Sequence, residues 1–146
     1  MKIKEIMIAD LTSVSADTPV KEAVKIMSRQ RMVGLPVVDN DQNVIGIITE
    51  SDIAKACLPS YYKELKNPSF IPDFNQFSGQ ARKIAHLPVK EFMTTIVYSL
   101  EEDTSRTQAA DLLFRKDLRI VPVVRVGKLV GILTPSCLCT HVMEED

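Results

Sequence analysis

Thr49 and Asp52, three residues apart, hold the clearest chemistry in the chain. They follow the apolar run Gly46-Ile47-Ile48 where a β-like stretch turns into a helix, the pattern of a capping box. The hydroxyl takes the N3 amide and the carboxylate reaches back to the cap amide. The same geometry has a second use, because amides at a helix N-terminus attract phosphate. A carboxylate held nearby can accept two hydrogen bonds from the vicinal hydroxyls of a ribose. The motif recurs 85 residues later, where Gly131-Ile132-Leu133-Thr134-Pro135-Ser136-Cys137 keeps the run and the threonine but replaces the acid with Cys137. A thiol cannot accept two hydroxyl hydrogen bonds as a carboxylate does.

Other reactive side chains are poorly placed for chemistry. His86 and His141 each lack a nearby second ligand, so no metal is expected. No histidine is placed by sequence to activate Cys137, whose simpler role is a small buried side chain. Nothing assembles a base, a nucleophile and an orienting group, and a non-enzyme is expected with no obligatory cofactor.

The elements that must position these residues are read from periodicity. Leu11 to Val14 reads as a short strand after a helical lead-in at Ile6-Met7-Ile8. Thr18 is a good N-cap with Pro19 at the first helical position, and Val20, Ala23, Val24 and Met27 form one apolar face. Leu35 to Val38 and Val44 to Ile48 read as a hairpin around the turn Asp39-Asn40-Asp41-Gln42-Asn43, and a second helix runs from Glu50 to about Cys57. The unit is β-α-β-β-α. Residues 59–88 break it with four of the eight prolines and five of the eight aromatics, too aromatic for a solvated linker. Helices are expected there at Tyr61–Leu65 and from Ser78 to His86.

From Val89 the first unit returns. Met7 answers to Met93, Asp17-Thr18 to Asp103-Thr104, Ala23 to Ala109 and Pro36-Val37-Val38 to Pro122-Val123-Val124, all 86 residues apart. After the hairpin the offset falls to 85, because Arg125-Val126-Gly127-Lys128 makes a loop one residue shorter. Two such units of roughly 50 residues would stabilise each other by packing face to face around a pseudo-twofold axis. The expected organisation is a first repeat at 1–58, an insertion at 59–88 and a second repeat at 89–146, in an α+β fold.

Composition narrows the function. With 146 residues, 45% of them hydrophobic, the chain can bury a core without staples. A formal charge of −1 gives no overall pull toward nucleic acid or an anionic membrane, and the absence of tryptophan argues against a base-stacking platform. No apolar segment approaches the roughly 18 to 20 residues of a membrane span, and the first residues lead into no signal-like apolar core. Cys57, Cys137 and Cys139 fit no disulfide framework, so a reducing, cytoplasmic setting is expected.

The order Asp-Thr-Pro-Val, Leu-Pro-Val-Val-Asp and Val-Ile-Gly-Ile-Ile-Thr-Glu-Ser-Asp-Ile resembles the cystathionine-β-synthase-type (CBS) domain, and Leu-Arg-Ile-Val-Pro-Val-Val with Leu-Val-Gly-Ile-Leu-Thr repeats it. The resemblance covers about residues 1–57 and 89–142. It implies a tandem pair, a Bateman module, with adenosine compounds bound in clefts between the halves. Carried onto this sequence, one cleft would contain Ile47, Thr49, Ser51 and Asp52 with Ile96, Val97, Arg119 and Pro122. Arg119 falls where such modules often place a phosphate-binding basic residue, and Ser51 where many carry another. The mirror cleft would contain Ile132, Thr134, Ser136 and Cys137 with Ser13, Val14, Val33 and Pro36. Lacking both the acid and the arginine, it should be the weaker. The resemblance implies a sensor for AMP, ADP, ATP or S-adenosylmethionine, a homodimer through the helical faces and a protein effector. A ligand-free interaction scaffold and a small nucleotide-acting enzyme are the alternatives.

Overall fold

The structure, a computed structural model, describes residues 1–9, 12–58, 74–95 and 97–143. The elements are α1 (Val20–Gln30), β1 (Gly34–Val38), β2 (Val44–Thr49), α2 (Glu50–Ala56), α3 (Phe74–Ile84), β3 (Leu100–Glu101), α4 (Arg106–Arg115), β4 (Val121–Arg125), β5 (Lys128–Leu133) and α5 (Pro135–Met143), with 3-10 turns at Ile3–Glu5 and Val89–Glu91. β1 and β2 form one antiparallel hairpin; β4 and β5 form another, extended by β3 running parallel to β4. This is the expected α+β repeat.

The first strand of repeat one is shorter than expected. Of the stretch expected at Leu11 to Val14, Leu11 lies outside the described residues, and among the described ones the pairing is a single parallel bridge, Val14 to Val37, matching the Leu100–Val123 pairing of repeat two. A local turn competes for the backbone immediately afterwards: Ser15 donates its amide to the Thr18 hydroxyl, and Thr18 donates its own to the Ser15 carbonyl, both at 3.1 Å. Thr18 is therefore spent in this turn and does not cap α1. The residue at the cap is Pro19, and the leading amides of α1, from Val20 and Lys21, go to the carbonyls of Leu87 and Ala85 at 2.9 and 3.0 Å. Val24, expected on the apolar face, is 42% exposed, whereas Val20, Ala23 and Met27 are buried.

The better of the two insertion helices is present but starts earlier and ends at Ile84, because residues 85–87 turn to cap α1. Ile84 and Ala81 pack on the core of repeat one. The other expected helix, Tyr61–Leu65, lies outside the described residues.

The lead-in of each repeat crosses to the other. Ile3 and Lys4 donate their amides to Thr104 and Glu102 at 2.9 and 3.1 Å, while Val89 and Lys90 donate theirs to Thr18 and Ala16 at the same two distances. Buried Ile3 thus joins the core of repeat two, with Ala109, Leu113, Val121, Val123 and Leu133. Buried Val89 joins that of repeat one, with Val20, Ala23, Leu35, Val37 and Ile48. Further along, Ile8 bridges to Ile132 and Thr94 to Ile47. These contacts are paired by the sequence offsets, as a pseudo-twofold axis requires. The two motif glycines serve the crossing: a Cβ on Gly46 would lie 2.6 Å from the Met93 sulfur, and one on Gly131 would lie 2.6 Å from that of Met7. Between the repeats, buried Ile47, Ile120 and Ile132 pack with Ile8, Met32 and Val33.

Candidate functional site

The β2–α2 junction makes the expected capping box in full. Thr49 Oγ1 accepts the Asp52 amide at 3.2 Å, and Asp52 Oδ2 accepts the Thr49 amide and hydroxyl at 3.0 and 2.9 Å. Asp52 Oδ1 accepts a longer bond, 3.4 Å, from the hydroxyl of Thr94 on the crossing lead-in. The Glu50 amide is given to the Val33 carbonyl at 2.9 Å, so two of the first three helical amides already have partners. This trims the expected phosphate cradle at the helix start.

Beside the junction opens a cavity of about 610 Å³ between the repeats. Six of the eight residues expected in this cleft line it: Ile47, Thr49, Ser51, Val97, Arg119 and Pro122. Asp52 does not, because its carboxylate faces the box and Thr94. Ile96 lies outside the described residues. The wall also holds residues the sequence reading missed: Glu50, Lys55, Thr94, Tyr98 and Asp117. Lys55 stands one helical turn beyond Ser51, a spacing that could have revealed it. The Lys116 ammonium lies 5.4 Å from the centre of the Tyr98 ring, a cation–π distance.

The mirror cleft is the larger, about 810 Å³. Thr134, Ser136, Cys137 and Val33 line it as expected. Ser13, Val14, Pro36 and Ile132 do not: Val14, Pro36 and Ile132 are core side chains, and Ser13 is half-buried away from the wall. The junction keeps half of a box. Thr134 Oγ1 accepts the Cys137 amide at 3.3 Å, and the hydroxyl and the thiol sulfur also sit 3.3 Å apart.

The expectation that the arginine belongs to the first cleft alone is overturned. Arg119 and Val33 each line both cavities, and Arg31 also lines the mirror one. Both follow from position: residues 33 and 119 are related by the repeat offset and lie beside the central isoleucine cluster, where the two clefts back onto each other. Arg119 is exposed, and among the described residues its guanidinium has no ion-pair partner. No group of three or more His, Cys, Asp or Glu side chains is placed to hold a metal among the described residues. None of the described helices is long and apolar enough to cross a membrane.

Comparison with known proteins agrees with this fold. The family model for the CBS domain matches twice, at residues 3–59 and 89–144. Inosine-5'-monophosphate dehydrogenase from Methanocaldococcus jannaschii is 29% identical over 134 residues, which are 91% of this chain but only 22% of that enzyme. Among solved structures, CBSX2 in complex with AMP superposes with a TM-score of 0.76 at 23% identity, covering 99% of this chain and 97% of that one. The CBS domain pair of protein MJ0100, in complex with 5-methylthioadenosine and S-adenosyl-L-methionine, gives 0.74 at 24% identity, covering 100% and 98%.

Proposed function

The chain belongs to the CBS-domain family, and from that premise we propose that it is a regulatory module binding an adenosine ligand in the cleft beside Thr49. AMP, ADP, ATP and S-adenosylmethionine are the candidates. The observation that carries this reading is the Ile47–Thr94 bridge, which brings the β2–α2 junction of one repeat against Thr94, Val97 and Tyr98 of the other around a 610 Å³ cavity. AMP in CBSX2, and methylthioadenosine and S-adenosylmethionine in MJ0100, support the ligand class.

The lining suits the parts of such a ligand. Ile47, Val97 and Pro122 offer an apolar wall for a base, with Tyr98 as an aromatic face at the mouth. Ribose hydroxyls would meet Thr49 and Ser51, and could replace the long Thr94 contact on Asp52 Oδ1. Arg119 and Lys55 supply cations for a phosphate. Among its described residues the site pairs no nucleophile with an activating base, which supports a module that senses rather than transforms its ligand.

A ligand wedged between the repeats biases their packing by its differential affinity for the two arrangements. The proposed readout is a homodimer or an effector protein contacting the helical faces, where α1, α2 and α3 enclose an apolar groove of about 770 Å³. Three cysteines without a disulfide support a reducing, cytoplasmic setting.

A thermal-shift panel of the four ligands tests the reading. Binding raises the melting temperature by mass action, and Asp52→Ala and Arg119→Ala should each diminish the shift. No shift with any of the four would leave the interaction-scaffold alternative in possession.

A further inference from the structure

One cavity owes nothing to the duplication. The groove of about 770 Å³ beside repeat one is walled by α1, α2 and α3, and α3 lies in the stretch 60–88 that the family model leaves unmatched. Among the described residues, repeat two has no helix in the place of α3. The residues matching Lys21, Val24 and Arg31 there are Thr107, Ala110 and Asp117, so neither the valine nor the two cations recur. The floor of the groove is the buried Val20, Met27, Cys57 and Ile84, and its rim includes Val24 and Phe77, 42% and 40% exposed. Large apolar side chains open to water beside a concave apolar floor mark a binding groove.

Charge enters at the ends. Lys21 stands in the first turn of α1 and Arg31 just past its last, about 15 Å apart along the axis. At the Arg31 end Glu50 shares the wall, its amide bonded to the Val33 carbonyl at 2.9 Å, and its carboxylate balances the guanidinium. At the Lys21 end the wall is Val20, Ile84 and Ala85, without a carboxylate, and among the described residues Lys21 is in no ion pair.

We propose that this groove binds a free fatty acid, with the carboxylate on Lys21 and the chain running along α1 toward Met32. The ammonium gives the head group a charge-assisted hydrogen bond, and the methylenes leave water for the apolar floor. The turn after α1 offers an occupant no backbone partners, because the Met32 amide is on the Met27 carbonyl at 2.9 Å and the Val33 carbonyl is taken by Glu50. An extended peptide would therefore bury unpaired amides. A helix is too wide: 770 Å³ spread over about 15 Å leaves a channel about 8 Å across, against roughly 10–12 Å for a helix with its side chains. An acyl chain needs neither the width nor the partners. Bound there, it becomes part of the helical face, whether or not a ligand occupies the clefts between the repeats.

Displacement of a fluorescent reporter, dansyl-undecanoic acid, from the full chain tests this, with dodecanoate, dodecanol and acetate as competitors below micelle-forming concentrations. Dodecanoate should displace the reporter and acetate, which lacks the chain, should not. Dodecanol, which lacks the charge, should be about tenfold weaker than dodecanoate, the loss expected for one charged hydrogen-bonding partner. Lys21→Ala should weaken dodecanoate by the same factor and leave dodecanol unchanged. Val24→Glu, at an exposed position that accepts a charge without unfolding, should abolish reporter binding. Phe114→Ser, at the position matching Ser28 on the other repeat, should leave it unchanged. The proposal is overturned if the wild type does not bind the reporter, if dodecanol binds as tightly as dodecanoate, or if binding survives Val24→Glu or is lost equally in Phe114→Ser. A wild-type dimer that Val24→Glu dissociates in sedimentation, with no reporter bound by either protein, would overturn it by assigning the groove to a second copy.

Discussion

The β2–α2 and β5–α5 junctions follow the same path, each from a crossing strand through a threonine into a helix, yet the side chains around them have diverged selectively. Positions that hold the repeats together are kept: Gly46 and Gly131, Met93 and Met7, Ala23 and Ala109, Val37 and Val123. Positions at the junctions and in the cleft walls are not: Asp52 against Cys137 in the caps, and Glu50 against Pro135, Asp117 against Arg31 and Arg119 against Val33 in the walls. Interior packing tolerates little change in volume, whereas a half-exposed rim accepts a new charge at small cost to folding. The duplication has thus retained one scaffold and produced two chemically different cavities.

The sharpest test of the shared scaffold is to fill the glycine gap in each repeat. At both positions an added Cβ meets a methionine sulfur at 2.6 Å and a backbone oxygen of the crossing lead-in, Thr94 at 3.1 Å or Ile8 at 3.0 Å. Gly46→Val and Gly131→Val should each cost about 3 kcal/mol, lowering the melting temperature by roughly 10 °C. Equal losses in thermal melts would support equivalent crossings; a loss in one variant alone would break the symmetry.

The next largest effect separates the two junctions. Thr49→Ala removes the centre of a complete capping box and should cost about 1.5 kcal/mol, whereas Thr134→Ala removes a hydroxyl with no carboxylate partner and should cost about 0.5 kcal/mol. Urea unfolding of both variants measures the difference, and equal values would mean that the acid adds nothing to the cap.

Much of this was legible in the sequence, and the physical reasons for what was not are specific. The constant offset revealed the duplication, and the Thr-x-x-Asp spacing revealed a cap that the structure shows bond for bond. The exchange of lead-ins was hidden, because Ile6-Met7-Ile8 looks the same whichever core receives it. Thr18 looked like a cap by type and position, but a nearer amide, that of Ser15, claimed its oxygen. Arg31 and Asp117 carried no signal at all: each reads as a polar residue ending a helix, and a left-handed residue aimed at a cleft is evident only in three dimensions. The dual position of Arg119 was missed for a related reason, since matching each residue to one cleft assumes that the clefts do not touch.

The hairpin turns differ too, and here the second repeat carries the strain. Arg125 pairs with Lys128 across a two-residue turn in which Val126 has φ 52° and Gly127 has φ 78°. A β-branched residue is poorly suited to the left-handed region, and Val126 is 86% exposed, so packing does not require it. The longer turn of repeat one relieves its backbone with Asp39, whose carboxylate accepts the amides of Asp41 and Asn43 at 2.9 Å. Val126→Asn, giving the Asn-Gly pair favoured in such turns, should stabilise the fold by about 1 kcal/mol. A melting temperature unchanged or lowered would show that the strain is not relieved there.

The smallest difference is electrostatic and lies where Ala16 in the first repeat answers to Glu102 in the second. Arg125 forks onto Glu102, Nη2 to Oε2 at 2.9 Å, and its hydrogen bonds hold the carboxyl below the ordinary value of 4.5. A carboxyl depressed in the folded state contributes its stability above the unfolded pKa and loses it as pH falls through the folded one. The wild type should therefore lose stability below about pH 4.5 partly through this group, and Glu102→Gln should flatten that part of the acid limb while losing a little stability near neutrality. Because Arg125 is largely exposed, the neutral-pH change should be slight and should shrink further in salt. Melting temperatures recorded from about pH 3 to about pH 7 give the comparison directly. An identical acid limb in the variant would mean that the Glu102–Arg125 pair adds nothing to the stability of repeat two beyond what Ala16 provides in repeat one.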